Sequence, residues 1–135
     1  MLVLPDILVS IRSDVDIVLA RQQGRTMAAT IGFAATDATL IATAISELAR
    51  NIVTYAQKGE VLMRSAETAH SKGIVIVARD NGPGIRNIQN VLRDGYSTSG
   101  GLGLGLPGVK RLMDEFAIES ELRRGTTVTV KKWLR

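Results

Sequence analysis

The stretch Ser97 to Gly108, reading S-T-S-G-G-L-G-L-G-L-P-G, constrains this chain more than any other. Glycines at 100, 101, 103, 105 and 108 forgo side-chain packing and cost folding entropy, a density that suits backbone bending sharply or approaching a ligand closely. A helix is predicted to follow: Pro107 suits a first helical position, and Val109, Leu112, Met113 and Phe116 recur at helical spacing. Backbone N–H groups at such a helix N-terminus make an anion site, with phosphate as the expected guest. Gly103, Gly105 and Gly108 also satisfy G-x-G-x-x-G, but a dinucleotide fingerprint closes a strand and needs an acidic residue about 20 positions later. Here the preceding residues are polar, and Asp114 and Glu115 arrive too soon. A Walker loop would end in Gly-Lys-Ser/Thr, whereas Gly108 is followed by Val109 and Lys110. A flexible linker would not alternate glycine with leucine and end in a helix start.

The 135 residues read as one domain, 1–135, long enough to bury its own core. Cysteine is absent, which removes disulfides and thiolate metal ligation and suits a reducing cytoplasm. The apolar opening lacks a basic flank and is interrupted by Pro5 and Asp6, so neither a signal peptide nor a membrane span is expected. A net charge of +4 suits an anionic ligand or partner. Nucleic acid is not the expected one: five aromatic residues are too few for a stacking platform. Arg123, Arg124, Lys131 and Lys132 lie on strand-like alternation that reads as a solvated face.

Ile7 to Ile11 reads as a first strand, with Ser13 and Asp14 as caps for the helix after it. Ile17, Ala20, Gly24, Met27, Ala28 and Ile31 follow at helical spacing up to a stop at Gly32, a helix that covers the core or meets a partner. Thr36 or Asp37 is predicted to cap a second helix with the stripe Leu40, Ile41, Ala44, Ile45, Leu48, Ile52 and Tyr55. Glu47 and Asn51, four apart, stack on one face of it. That pair is either a solvated face or the wall of a cleft, where a carboxylate takes a hydroxyl proton and an amide oxygen suits Mg2+.

A strand-like period covers Val61, Met63 and Ser65, and a polar loop carries His70, the single histidine, as a solvated residue. Ile74 to Ala78 is apolar on both faces and belongs inside a covered sheet. It ends at D-N-G-P-G (80 to 84), which is good turn chemistry. The same stretch can also serve a ligand: a strand-end carboxylate accepts from an exocyclic amine, and Gly82 and Gly84 leave room for a flat ring. Ile118 to Leu122 and Thr127 to Trp133 flank Arg124-Gly125 as a hairpin.

Together, E-L-A-R-N (47 to 51), D-N-G-P-G (80 to 84), G-L-G-L-G-L (101 to 106) and G-T (125 to 126) resemble the N, G1, G2 and terminal boxes of the Bergerat-fold (GHKL) ATPases. Whole histidine kinases and gyrase-like enzymes match less well, since neither a second domain nor a helix with a phospho-acceptor histidine is read in the sequence. A-I-S-E-L-A-R-N-I, D-G-Y-S-T-S-G-G-L-G and L-P-G-V-K-R-L-M-D-E-F are similar to the RsbT-type serine/threonine protein kinases, the stressosome switches.

The resemblance implies an α+β fold, a two-layer sandwich with helices on one face of a mixed, largely antiparallel sheet. It implies ATP and Mg2+ as cofactors, with Asn51 on the metal and Asp80 on the adenine amine. Gly82 and Gly84 would shape the base pocket, and Gly101, Gly103 and Gly105 would meet the phosphates. Thr126 would support the base beside Asp80, and Glu47 would act as general base or orient the attacking hydroxyl. Relatives place a basic lid residue on the terminal phosphate; here Arg86 and Arg93 precede the lid serines and Lys110 follows the loop. The implied partners are STAS-domain proteins of the RsbS-like and RsbR-like kinds and an RsbU-like phosphatase, with no membrane. An anti-sigma factor of the same fold and a nucleotide-gated binding module are the rival readings.

Overall fold

The computed structural model describes residues 4–84 and 105–135. The order is β1 (Ile7–Ile11), α1 (Asp14–Ile31), α2 (Ala35–Asn51), one π-helical turn (Ile52–Ala56), β2 (Gly59–Glu67), β3 (Lys72–Asp80), α3 (Gly105–Leu112), β4 (Glu115–Glu121) and β5 (Gly125–Trp133). The strands form one sheet in the order β1-β2-β3-β5-β4. Every pairing among the described residues is antiparallel, in keeping with the largely antiparallel sheet that the resemblance implied.

Strand alternation decides which face the helices cover. The register aligns Val9, Val61, Ala78, Val128 and Ile118 in one row and Ile7, Met63, Ile76, Val130 and Phe116 in the next. These rows pack with Ile17, Ala20 and Met27 of α1 and Ile41, Ile45 and Leu48 of α2 into one hydrophobic core. The opposite face carries Arg64, Val75 and Lys131 in register. Val75 and Val77 are therefore half-buried, and the described residues cover β3 on one face, not two.

Close approach of the two long helices depends on Gly24, where an added Cβ would run into the Ile45 side chain. Gly32 ends α1 as expected, at φ +123° with its N–H on the Ala28 and Ala29 carbonyls. The exposed side of α1 carries apolar residues, with Val15 at 76% exposure beside Val18 and Leu19. α2 begins at Ala35 with Ala34 as its cap, so Thr36 and Asp37 lie within the first turn, where the Asp37 carboxylate favours the helix dipole. Residues of the β2–β3 connection close on Thr68, whose hydroxyl accepts from the N–H groups of His70 and Ser71. His70 is exposed there, as its loop predicted. No helix among the described residues is long and apolar enough to cross a membrane.

Candidate nucleotide site

Two residues of α2 form one end of the site. Glu47 is a charged side chain that α2 buries, at 5% exposure. Its carboxylate accepts from Arg50 Nη1 at 2.9 Å on Oε1 and from the Gly105 N–H at 3.3 Å on Oε2. Gly105 opens α3, so Glu47 places negative charge where the unpaired N–H groups of a helix N-terminus favour it. One turn along α2, Asn51 Oδ1 is buried with no hydrogen-bond partner among the described residues. Such an atom costs roughly 1–3 kcal/mol unless something satisfies it, and a hard cation that prefers oxygen donors fits it chemically.

The helix changes character just past this pair. Ile52–Ala56 is π-helical and stops at Gln57, which takes φ +70°. The wider turn rotates its own residues away from the α-helical phase: Ile52 stays buried, while Tyr55, on the apolar stripe by α-helical period, is 48% exposed. It also presses Ala56 against the opposite wall, where a Cβ at Gly82 would lie 2.6 Å from Ala56 Cβ.

Strand ends build that wall. Asp80 closes β3, and its Oδ1 accepts from the N–H groups of Gly82 at 2.9 Å and Thr126 at 3.3 Å. Thr126 pairs with Asp80 across β3 and β5, and its hydroxyl lies 2.8 Å from Ser120 Oγ. Asp80 also helps to line, with Arg12, Ala56, Lys58, Arg79 and Asn81, an open groove of about 480 Å3. The 81–84 turn is fastened to the β4–β5 hairpin by the Arg123 N–H on the Pro83 carbonyl. Gly125, at φ +105°, lets the hairpin pass against Asp80, since a Cβ there would collide with the Asp80 carbonyl.

A clamp at the far end of α3 holds that helix to the sheet. Lys132 Nζ donates to the Leu112 carbonyl, while Asp114 accepts from the Trp133 N–H at 2.8 Å and from Arg135 Nη2 at 2.6 Å. Burial works against the charged form of Asp114, but these two donors together with the Lys132 and Arg135 charges outweigh it and hold the carboxyl below its ordinary value. The clamp ends α3 at Leu112 and puts Phe116 in β4, not on the helix face that its spacing suggested.

Residues 36–135 match the model of the histidine kinase-, DNA gyrase B- and HSP90-like ATPases. The chain belongs to this ATPase family. It is 54% identical over 127 residues to the serine/threonine-protein kinase RsbT of Bacillus subtilis (strain 168), covering 94% of this chain and 96% of that one. It is also similar to anti-sigma F factors, at 32% identity to that of Priestia megaterium (73% of this chain, 71% of the relative). For that of Clostridium kluyveri (strain ATCC 8527) the identity is 27%, over 71% and 70%. Within the ATPase family the chain is an RsbT-type serine/threonine protein kinase, and the family's use of ATP comes with that membership.

In this ATPase the residues expected at the site fall into two groups. Glu47, Asn51 and Gly105 meet at the α2–α3 end, while Asp80, Gly82, Gly84 and Thr126 meet at the strand end. Gly101, Gly103, Arg86 and Arg93 lie outside the described residues, and Lys110 is exposed on α3. The Gly105 N–H, expected at phosphate, points at Glu47. Three contributors were not singled out from sequence: Arg50, Ala56 and Ser120. Arg50 had a signal, its i+3 spacing from Glu47. Ala56 and Ser120 had none, since the π-turn and the hairpin register that place them are tertiary outcomes.

Proposed function

We propose that this kinase transfers the γ-phosphoryl group of ATP to serine or threonine on STAS-domain proteins of the RsbS-like and RsbR-like kinds. Its release from them then activates an RsbU-like phosphatase in a stressosome partner switch. The observation that carries the chemical part is the pairing, one turn apart on α2, of the buried Glu47 carboxylate with the unpartnered Asn51 Oδ1. Adenine sits at the strand end, its amine donating to Asp80 with Thr126 supporting the same edge, and Gly82 and Gly84 shape that pocket by letting the 81–84 turn pack closely against Ala56 and the β4–β5 hairpin. Asn51 Oδ1 holds Mg2+, which when bound neutralises charge on the phosphates. Gly101 and Gly103 contribute backbone to the phosphate side, while the Gly105 N–H holds Glu47.

Glu47 accepts a hydrogen bond from the acceptor hydroxyl and orients it. As the new O–P bond forms and the bond from Pγ to the bridging oxygen breaks, ADP leaves and the hydroxyl proton passes to the carboxylate and on to water. Such a base contributes about 10²–10⁴ in rate, and the rest comes from holding the reacting groups in line. The added phosphate brings roughly −1.5 to −2 charge to the acceptor, which changes the charge pairing where kinase and acceptor meet and so drives exchange.

The similarity to anti-sigma F factors supports a second reading, capture of a sigma subunit with phosphorylation of an antagonist. The higher identity over nearly the whole chain favours the first. The test is transfer of γ-labelled phosphate from Mg-ATP to a purified RsbS-like STAS protein. Acid-stable label on serine or threonine is expected; label released only as free phosphate would contradict it, and capture of a sigma subunit would move the chain to the second reading.

A further inference from the structure

We infer that Arg50 is a positioning residue of this site, one that fixes the orientation of the Glu47 carboxylate for phosphoryl transfer; the inference rests on the kinase chemistry proposed above. Glu47, Arg50 and Asn51 occupy positions i, i+3 and i+4 of α2, so all three project from one side of the helix. Arg50 Nη1 lies 2.9 Å from Glu47 Oε1, and the Gly105 N–H holds Oε2. With one donor on each oxygen the carboxylate plane is set from two elements, α2 and α3. A carboxylate free to rotate would present its lone pairs to the incoming hydroxyl only part of the time.

The ordinary account of an arginine in the last turn of a helix is a favourable meeting with the helix dipole or a surface ion pair, and both are weak. Arg50 differs in what it touches. Its side chain is 37% exposed while that of Glu47 is 7% exposed, so the guanidinium reaches inward from the rim to a carboxylate that water barely reaches. Removing the cation leaves a buried charge with a single long hydrogen bond, free to turn toward other donors. The guanidinium is also a rigid planar fork, which orients a carboxylate better than an ammonium does. Arg50 therefore acts through Glu47 and not on the nucleotide.

The experiment measures kcat and KM for Mg-ATP, at saturating RsbS-like acceptor, in Arg50→Gln, Arg50→Lys, Glu47→Gln and the Arg50→Gln/Glu47→Gln double variant. Arg50→Gln is expected to lower kcat about 10- to 100-fold, the scale of a misplaced reacting group, with KM for Mg-ATP within about twofold of wild type. Arg50→Lys is expected to lose less, and the double variant to match Glu47→Gln alone, because one residue works through the other. A double variant that loses the product of the two single effects, or an Arg50→Gln that raises KM with kcat unchanged, overturns the assignment. Should Arg50→Gln fail to fold, an Arg50→Lys with wild-type kcat overturns it instead. Wild-type protein that transfers phosphate while Arg50→Gln transfers equally well sinks Arg50 alone; wild-type protein that transfers none sinks the kinase reading and this inference with it.

Discussion

At the strand end of the site, Asp80 Oδ1 and the Thr126 hydroxyl are tied to backbone N–H groups and to Ser120, whereas at the helical end Asn51 Oδ1 is buried with no partner among the described residues. The strand end is made of main chain: paired strands, a turn fastened to a hairpin, and glycines at 82, 84 and 125 that let these pieces touch. The helical end is made of side chains from α2 met by one N–H of α3. Shape is therefore built into the fold at one end, and changes to its main-chain contacts act through the fold. At the other end chemistry hangs on side chains, and changes there spare the scaffold. A satisfied network rigidifies, while an unsatisfied buried oxygen is tolerated where a ligand completes it.

That division is open to breaking in order of expected effect. Glu47→Ala should reduce phosphate transfer about 10²- to 10⁴-fold while leaving nucleotide affinity nearly unchanged, as read by single-turnover kinetics beside a binding titration; equal losses in both would erase the distinction between the ends. Gly125→Ala should act oppositely, on the fold: strain at φ +105° and collision with the Asp80 carbonyl together should cost about 3 kcal/mol and lower Tm by about 10 °C. Calorimetric melting at the wild-type temperature would mean that the hairpin can move away from Asp80. Asp80→Asn should weaken ADP and ATP alike by about 10- to 100-fold, the scale of a lost hydrogen bond to a charged group, in a fluorescence titration.

The smallest effect lies outside both ends, at the clamp on α3. The Asp114 carboxyl is depressed in the folded chain, so its contribution to stability is complete above the unfolded carboxyl value of about 4 and is lost as pH falls through the lower folded value. Urea melts between about pH 5 and pH 2 should show part of the acid loss of stability disappearing in Asp114→Asn, along with about 1 kcal/mol at neutral pH. An unchanged acid limb would mean that the clamp does not hold α3.

Much of this was legible because it rests on local spacing. Glu47 and Asn51 stack because four residues make about one turn, Gly32 ends α1 because its φ requires glycine, and the alternation around Arg124-Gly125 announces the hairpin. The hidden features depend on contacts distant in sequence. Tyr55 continues an α-helical stripe on paper, but the helix widens into a π-turn where Ala56 meets Gly82. Phe116 fits the face of α3, yet Asp114 is drawn to Trp133 and Arg135 and commits the following residues to β4. Val75 and Val77 look like interior residues because the sequence of a strand does not show which face its neighbours cover. At the site, the four boxes were visible as motifs, while the Arg50 and Gly105 contacts to Glu47 needed the packing of α3 on α2.

The most direct test of the two-ended account is calorimetric titration of ATP, with Mg2+ and with the metal chelated, into wild type, Asp80→Asn and Asn51→Ala. The account predicts that Asp80→Asn weakens binding under both conditions by a similar factor. Asn51→Ala should match wild type without metal and lose the gain in affinity that Mg2+ brings. An Asn51→Ala protein that keeps the full Mg2+ gain, or an Asp80→Asn protein that binds as wild type does, would contradict it.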